Sequence, residues 1–394
     1  MSNKRMTPDV RFKGFEESWN ILKVGNISDI SIGEFIIKTK QSDFNKYPVY
    51  NGGITNTGFY DKWNTPENKI VISARGANVG YVNLVKEKYW AGNSCYSLDF
   101  NLENFSLDFI FNALINSKEE LSEKLQSANI PSLSKMDVFN INIKCPTYQE
   151  QSKIGELFKN IDNLITQTTT KLDKLKDVKK SLLNKMFPRE GKLVPEIRFK
   201  AFSENWKKFQ FSEISSIDRG SSPRPIEKYL TDNHTGINWI KIGDAPENGI
   251  FIDRASEKIT KDGVKFSRFV NNGNLILSNS MSFGKSFILN INGCIHDGWL
   301  YFRKILENMS LVYIAYYLRT ENMFNEYIKL SNGSVVNNLN KDIVLNSDIL
   351  APVYAEQSKI AEFLTAVDKL ITLTNKKLTK LKEIKKALLQ KMFV

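Results

Sequence analysis

Pro146–Phe187 reads PTYQEQSKIGELFKNIDNLITQTTTKLDKLKDVKKSLLNKMF, and Pro352–Phe393 reads PVYAEQSKIAEFLTAVDKLITLTNKKLTKLKEIKKALLQKMF. Aligned without a gap at a constant offset of 206, the two stretches match at 25 of 42 positions. After its opening Pro neither stretch contains another, and both are rich in Lys, Leu, Glu and Gln, straight-chain residues that lose little rotamer freedom in a helix. Ile154, Phe158, Ile161, Ile165, Thr168, Leu172 and Leu175 follow spacings of four and three, continued by Val178, Leu182 and Met186. The second stretch repeats this with Ile360, Leu364, Val367, Ile371, Thr374, Leu378, Leu381, Ile384, Leu388 and Met392. This is a coiled-coil seam, and forty residues at about 1.5 Å each make a rod of roughly 60 Å. Such a rod must bury its apolar stripe, so the two copies are expected to pair with each other. Identity also reaches positions expected to be exposed, such as Gln151, Ser152 and Lys153 against Gln357, Ser358 and Lys359.

A second repeat precedes each rod. Pro8-Asp9-Val10-Arg11-Phe12-Lys13-Gly14-Phe15 leads to Trp19, and Pro195-Glu196-Ile197-Arg198-Phe199-Lys200-Ala201-Phe202 leads to Trp206, eleven residues from Pro to Trp both times. The chain is therefore a tandem duplication. A globular domain over residues 1–146 is followed by a rod over 147–188, a second globular domain over 189–351 and a second rod over 352–394. In the first domain, strands are expected at Tyr47–Tyr50, Lys69–Ala74 and Cys95–Phe100, separated by Gly/Asn turns, with a helix over Leu107–Leu125. The second domain keeps this order, with a helix over Leu311–Tyr327. The rods are nearly the same while the loops diverge, as expected if the rods share one job and the loops do two.

The composition is that of a globular protein, with 41% hydrophobic and 25% charged residues. The net charge of +12 makes a polyanionic partner plausible, and eight of those charges sit on the rods. Lys176, Lys179, Lys180, Lys382, Lys385 and Lys386 read as a solvated helical face, with phosphate attraction as the alternative. Cys95, Cys145 and Cys294 are isolated, which points to reduced thiols in a cytoplasmic protein and not to a disulfide frame or metal site. No signal peptide or membrane-spanning run is seen.

No motif reads as catalytic. Phe283-Gly284-Lys285-Ser286 resembles the end of a phosphate loop, but Asn279 stands where its first Gly belongs and a strand follows. No two prolines are adjacent, so the Asp/Asn-Pro-Pro-Tyr/Phe motif of amino-methyltransferases is missing. Candidate contacts to a nucleic acid lie instead in the turns. Arg75 and Asn78 sit in a Gly-bounded loop; Arg can hold guanine and Asn adenine in two-pronged fashion, and glycine lets backbone approach phosphate. The same residue types mark Thr55, Asn56, Lys62, Asn93 and Ser94 in the first domain. In the second they mark Arg219, Ser221, Ser222, Arg224, Ser280, Ser282, Lys285, His296, Asn337 and Asn338. The Arg219–Arg224 cluster equally suits a plain solvated loop.

The entry motif Pro-x-Val/Ile-Arg-Phe-x-x-Phe, the Glu-Gln-x-x-Ile start of each rod and its Leu-Leu-x-Lys-Met-Phe end each occur twice, in register, over essentially the whole chain. In these the sequence resembles the DNA-specificity subunit of type I restriction-modification systems. The resemblance implies an α+β fold of two target recognition domains joined by two long helices in an antiparallel coiled coil, with an internal pseudo-two-fold repeat. It further implies that each domain reads one half of a split, asymmetric double-stranded DNA target, while the helices fix the gap and dock two methyltransferase (modification) subunits. The subunit itself is then non-catalytic and carries no cofactor. S-adenosylmethionine belongs to the modification subunits, and ATP and Mg to the restriction subunits. A coiled-coil scaffold or adaptor without sequence readout is the alternative from another class.

Overall fold

The structure, a computed structural model, describes residues 6–117, 132–279, 284–330 and 339–393. Two units are distinguished, one of residues 1–168 with 377–394 and the other of residues 169–376.

The strands of the first unit are β1 (Asn20–Lys23), β2 (Ser28–Ile32), β3 (Tyr47–Tyr50), β4 (Phe59–Tyr60), β5 (Lys69–Ser73), β6 (Val82–Val85), β7 (Trp90–Ala91), β8 (Cys95–Phe100) and β9 (Asn142–Cys145). β1 pairs antiparallel with β9, so the strand after the entry motif lies beside the strand that leads into the rod. Between them form a four-stranded sheet, order β2-β8-β5-β6, and a three-stranded sheet, order β4-β3-β7. The run Lys69–Ser73 takes a central place because its β-branched residues suit burial on both faces; Ile70, Val71 and Ile72 are all buried. Of the helix predicted over Leu107–Leu125, Leu107–Asn116 forms α1 and buries Phe109, Ile110, Ala113 and Leu114; its residues 118–125 lie outside the described ones. A short helix, α2 (Lys135–Phe139), starts on a capping box between Ser134 and Asp137. The first rod, α3, runs Tyr148–Lys185.

The second unit holds β10 (Lys207–Gln210), β11 (Ser216–Arg219), β12 (Ile237–Ile240), β13 (Phe251–Ile252), β14 (Glu257–Ile259), β15 (Arg268–Val270), β16 (Leu275–Ser278), β17 (Ser286–Leu289), β18 (Gly293–Ile295), β19 (Trp299–Arg303) and β20 (Asp348–Ala351). β10 pairs with β20 as β1 does with β9. The sheets are ordered β11-β19-β16-β17-β13 and β14-β12-β18-β15, the first domain's two sheets with one strand added to each. The predicted helix over Leu311–Tyr327 is instead two helices, α4 (Leu311–Tyr317) and α5 (Glu321–Leu330). Neither Pro nor Gly breaks it. Arg319 turns inward, its guanidinium donating to the carbonyls of Ser286 and Gly249 (2.9 Å to the latter), and the Thr320 hydroxyl caps the second helix at Met323 N. α6 (Lys341–Asn346) leads through β20 to the second rod, α7 (Tyr354–Met392).

The repeated motifs prove to be one joint made twice. The Arg11 guanidinium donates through Nε and Nη2 to the two carboxylate oxygens of Glu150, both at 2.7 Å, and Arg198 does the same to Glu356 at 2.8 Å. Both carboxylates are fully buried, where an unpaired charge would be expensive and a two-pronged one is stable. Beside them Gln151 and Gln357, expected to be exposed, are buried instead, because their amides satisfy backbone: Gln151 accepts from Ser106 N and donates to Pro146 O, and Gln357 repeats this with Ser310 and Pro352. The rod ends finish each core. Phe393 packs on Trp19, Phe109 and Phe158 in the first unit, and Phe187 on Trp206, Tyr313 and Tyr317 in the second.

In each unit the two rod helices run antiparallel. Phe158 meets Phe393 and Asp162 meets Lys385 at 2.6 Å; in the other unit Lys179 meets Asp368 at 2.5 Å while Met186 joins Ile360 and Leu364 in one core. These ion pairs are the same pair in the repeat, with the roles of the two helices exchanged. They correct the reading of the seam. Val178 and Ile384 are exposed, 50% and 41%. Lys179 and Lys385, expected on the solvated face, continue the four-three alternation and point inward, each charge met by an aspartate of the opposite helix. Thr168 and Thr374 are buried in the seam as expected.

Candidate nucleic-acid interface

In the first domain three turns meet at one end of the sheets. Asn51, directly after β3, accepts from Ser94 N at 3.0 Å through Oδ1, and Tyr50 O accepts from Gly92 N at 2.8 Å. Ala74 N, just past β5, donates to Ser94 O at 2.8 Å. Gly52, at φ +80°, fits between them: an added Cβ would lie 3.3 Å from both the Arg75 carbonyl oxygen and Ser94. Gly52 is favoured by its positive φ, and a Cβ on Gly53 would lie 2.8 Å from the Thr55 carbonyl oxygen, so the turn needs both glycines. The segment ahead of α2 joins the cluster, with Leu133 N donating to Ala74 O and Arg75 bridged to Ser132. Arg75, Asn78, Asn93 and Ser94 are therefore brought together, Arg75 and Asn78 exposed on the turn that Gly76 and Gly80 reverse with positive φ. Thr55 and Asn56 continue the Asn51 loop. Lys62 is exposed two residues beyond β4.

The second domain builds its cluster on the same frame. Asn279 N donates to Gly298 O and Leu339 N to Asn279 O, matching the bonds of Ala74 and Leu133. Here the hub is an acid. Asp297 accepts from Ser222 Oγ at 2.8 Å and from Arg224 Nη2 at 3.3 Å, and His296 Nε2 lies 3.0 Å from its Oδ1. Its carbonyl accepts from Arg219 Nε at 3.0 Å and from Asn279 Nδ2 at 3.1 Å. Gly298 N donates to His296 Nδ1, so it is Nε2 that carries a proton toward the carboxylate. Partial burial pushes the Asp297 carboxyl up, but the Ser222 hydroxyl, the neighbouring His296 ring and the charges of Arg219 and Arg224 outweigh it and leave its pKa below the ordinary value.

The Arg219–Arg224 stretch is thus tied to one residue, Asp297, through its carboxylate at Ser222 and Arg224 and its carbonyl at Arg219, with Arg219 and Arg224 exposed. Ser221 is held apart from the hub by its bond to Phe266 O. Lys285 directly precedes β17, its N–H bonded to the Ser278 hydroxyl, and is exposed. Ser280, Ser282, Asn337 and Asn338 lie outside the described residues. Asp297 and Asn51 escape a search by residue type, because a search for phosphate and base contacts passes over an acid and gives no sign that a half-buried amide holds a turn together. The Asn-Gly-Gly and Asp-Gly pairs were the only signals that a tight turn was needed at either place.

All three cysteines are buried and free, and burial pushes the thiols of Cys95 and Cys145 up to about 12. Among the described residues no group of His, Cys, Asp and Glu could hold a metal ion, and no helix is long and apolar enough to cross a membrane.

Two domains of one topology, each ending in a different polar cluster and each anchored on a copy of the same rod, define a duplicated recognition protein. The chain belongs to the type I restriction-modification DNA-specificity family, whose domain model matches it twice, over residues 16–177 and 203–383. It is a type I DNA-specificity subunit, not a scaffold without readout. It is 23% identical over 336 residues to the specificity subunit of the type I restriction enzyme MjaVIII of Methanocaldococcus jannaschii, covering 82% of this chain and 77% of that one. The fold resembles the S subunit of a type I restriction-modification system from M. genitalium, with a TM-score of 0.72, 19% identity and 99% of each chain covered. It also resembles a chain from a structure concerned with complex assembly and conformational transition of the type I system, with a TM-score of 0.55, 14% identity, and 97% of this chain and 99% of that one covered.

Proposed function

We propose that each domain reads one half of a bipartite, asymmetric double-stranded DNA target through its turn cluster, the first through Arg75, Asn78, Asn93 and Ser94 and the second through Arg219, Ser222, Arg224 and His296. The observation that carries this is the frame shared by the two clusters. The backbone bonds that gather the turns are the same in both domains, yet one frame presents Arg75 and the other an Asp297-centred group of cations. A frame held constant with its side chains exchanged is what two readers of different sequences need.

The rods set the gap between half-sites and dock two modification subunits. In the first unit Leu164 and Ile384 stand exposed beside the Asp162–Lys385 pair, and in the second Leu370 and Val178 stand exposed beside Lys179–Asp368, so each offers an apolar patch to a partner. The chain performs no chemistry itself. S-adenosylmethionine is held by the modification subunits, ATP and Mg by restriction subunits, and the assembly works in the cytoplasm. The test is genome-wide adenine-methylation mapping in cells carrying this chain and its methyltransferase. A split motif with two dissimilar halves supports the reading; a continuous or palindromic motif contradicts it.

A further inference from the structure

The segment from Glu34 to Lys46 joins β2 to β3 and contains no arginine. Its place in the fold is more telling. Gly33 N donates to Cys95 O at 3.3 Å and Glu34 N to Ala91 O at 2.8 Å, while a Cβ on Gly33 would lie 2.3 Å from the Ala91 and Gly92 carbonyl oxygens. In the second domain Gly220 N donates to Trp299 O at 2.8 Å and Ser221 N to Ile295 O at 3.3 Å, and a Cβ on Gly220 would lie 2.1 Å from His296 O. The two glycines make the same crossing over the same turn. Beyond Gly220 the chain enters the Ser222–Arg224 cluster on Asp297. Beyond Gly33 it enters a stretch with Phe35 70% and Phe44 100% exposed, among the exposed lysines Lys38, Lys40 and Lys46.

Phe44 does not trail in solvent. It stands at the tip of a turn closed by Asn45 N to Ser42 O at 3.0 Å, and that turn is fastened to β4 by Ser42 N and Asn45 Nδ2, both donating to Phe59 O. Gln41 adds a bond from the Thr57 hydroxyl at 3.2 Å, on the loop that begins at Asn51. A fully exposed ring on an anchored turn, with Lys38, Lys40 and Lys46 in the same segment and on the domain that carries the recognition cluster, has the make-up of a side chain that enters a base stack while those lysines hold phosphate.

We propose that Glu34–Lys46 is a DNA-engaging arm of the first domain, in which Lys38, Lys40 and Lys46 bind phosphates and the Phe44 ring inserts at a base step of the first half-site. This rests on the reading that the domain's turn cluster recognises DNA. The arm adds selection by deformability, favouring a pyrimidine–purine step that unstacks easily. The second domain, with Ser222 and Arg224 on the equivalent crossing, has no such wedge there.

The experiment uses the full chain reconstituted with its methyltransferase on duplexes bearing the mapped target, with 2-aminopurine at successive positions of one half-site at a time. Wild-type protein raises the fluorescence at one position of the first half-site. In Phe44→Ala that rise is lost and affinity falls about tenfold, in line with the stacking of one base on an aromatic ring. Because the ring is fully exposed, its removal does not disturb folding. Lys38→Ala with Lys40→Ala lowers the slope of log affinity against log salt by about two. Unchanged affinity and fluorescence in Phe44→Ala, alongside a relaxed first half-site in Arg75→Ala, overturns the arm alone. If Arg75→Ala is also without effect, the arm falls together with the recognition reading.

Discussion

Lys179 and Lys385 occupy the same place in the repeat and are not equivalent in energy. The aspartate facing Lys179 is 7% exposed and also accepts from the Tyr316 hydroxyl at 2.8 Å, whereas the one facing Lys385 is 38% exposed. Lys179→Ala should cost about 3 kcal/mol, because it leaves a buried carboxylate short of its partner; Lys385→Ala should cost under about 1 kcal/mol. Urea unfolding of the two variants checks this, and equal costs would mean that burial does not separate them. The thiols give a pH dependence. Cys95 and Cys145 are raised from near 9 to about 12 in the fold, so the folded chain keeps protons that the unfolded chain releases. Their contribution is complete below pH 9 and lost as pH rises toward 12. Stability should fall over that window, less so with both changed to Ser after allowing for the lost packing, and neither thiol should react with a thiol-specific reagent at pH 8 before unfolding.

The helices were the most legible elements in the sequence, since 25 of 42 repeated positions leave few other foldings for the rods. One turn of the seam misleads even so. At Leu175 the rule asks for the fourth residue on, which is Lys179, but the apolar Val178 stands beside it and attracts the assignment. An ion pair reaching from the opposite helix is what lets a lysine take that place, and a single helix cannot show its partner. The break after Tyr317 was hidden for a similar reason: nothing local marks it, and it comes from Arg319 reaching carbonyls on β17 and at Gly249. If the rods set the gap between half-sites, seven residues inserted near both Thr168 and Thr374 keep the seam in phase and lengthen the rod by about 10 Å. The mapped gap should then widen by about three base pairs with both half-sites intact. A gap that stays the same would remove the spacer role.

At the scale of the molecule, each unit is completed by the far end of the other repeat. Phe393 closes the core around Trp19, and Phe187 fills the same place around Trp206. A chain ending at Phe187 has lost its own plug but carries a copy of it, so two such chains should plug each other and form a two-fold dimer. Light scattering should give a dimer, and Phe187→Ala should return it to monomer. This symmetry was readable from the duplication, whereas the turn clusters were only half readable: the sequence pointed to Arg75 and Arg219 but not to Asn51 or Asp297, which acquire their roles from turns distant in the chain. The central claim is that the two clusters read separate halves of one target. Methylation mapping of Arg75→Ala and Asp297→Asn, each beside wild type, tests it most directly. The account predicts that Arg75→Ala relaxes only one half of the motif, Asp297→Asn only the other, and that the gap holds in both. Loss of methylation spread evenly over both halves in either variant would contradict it.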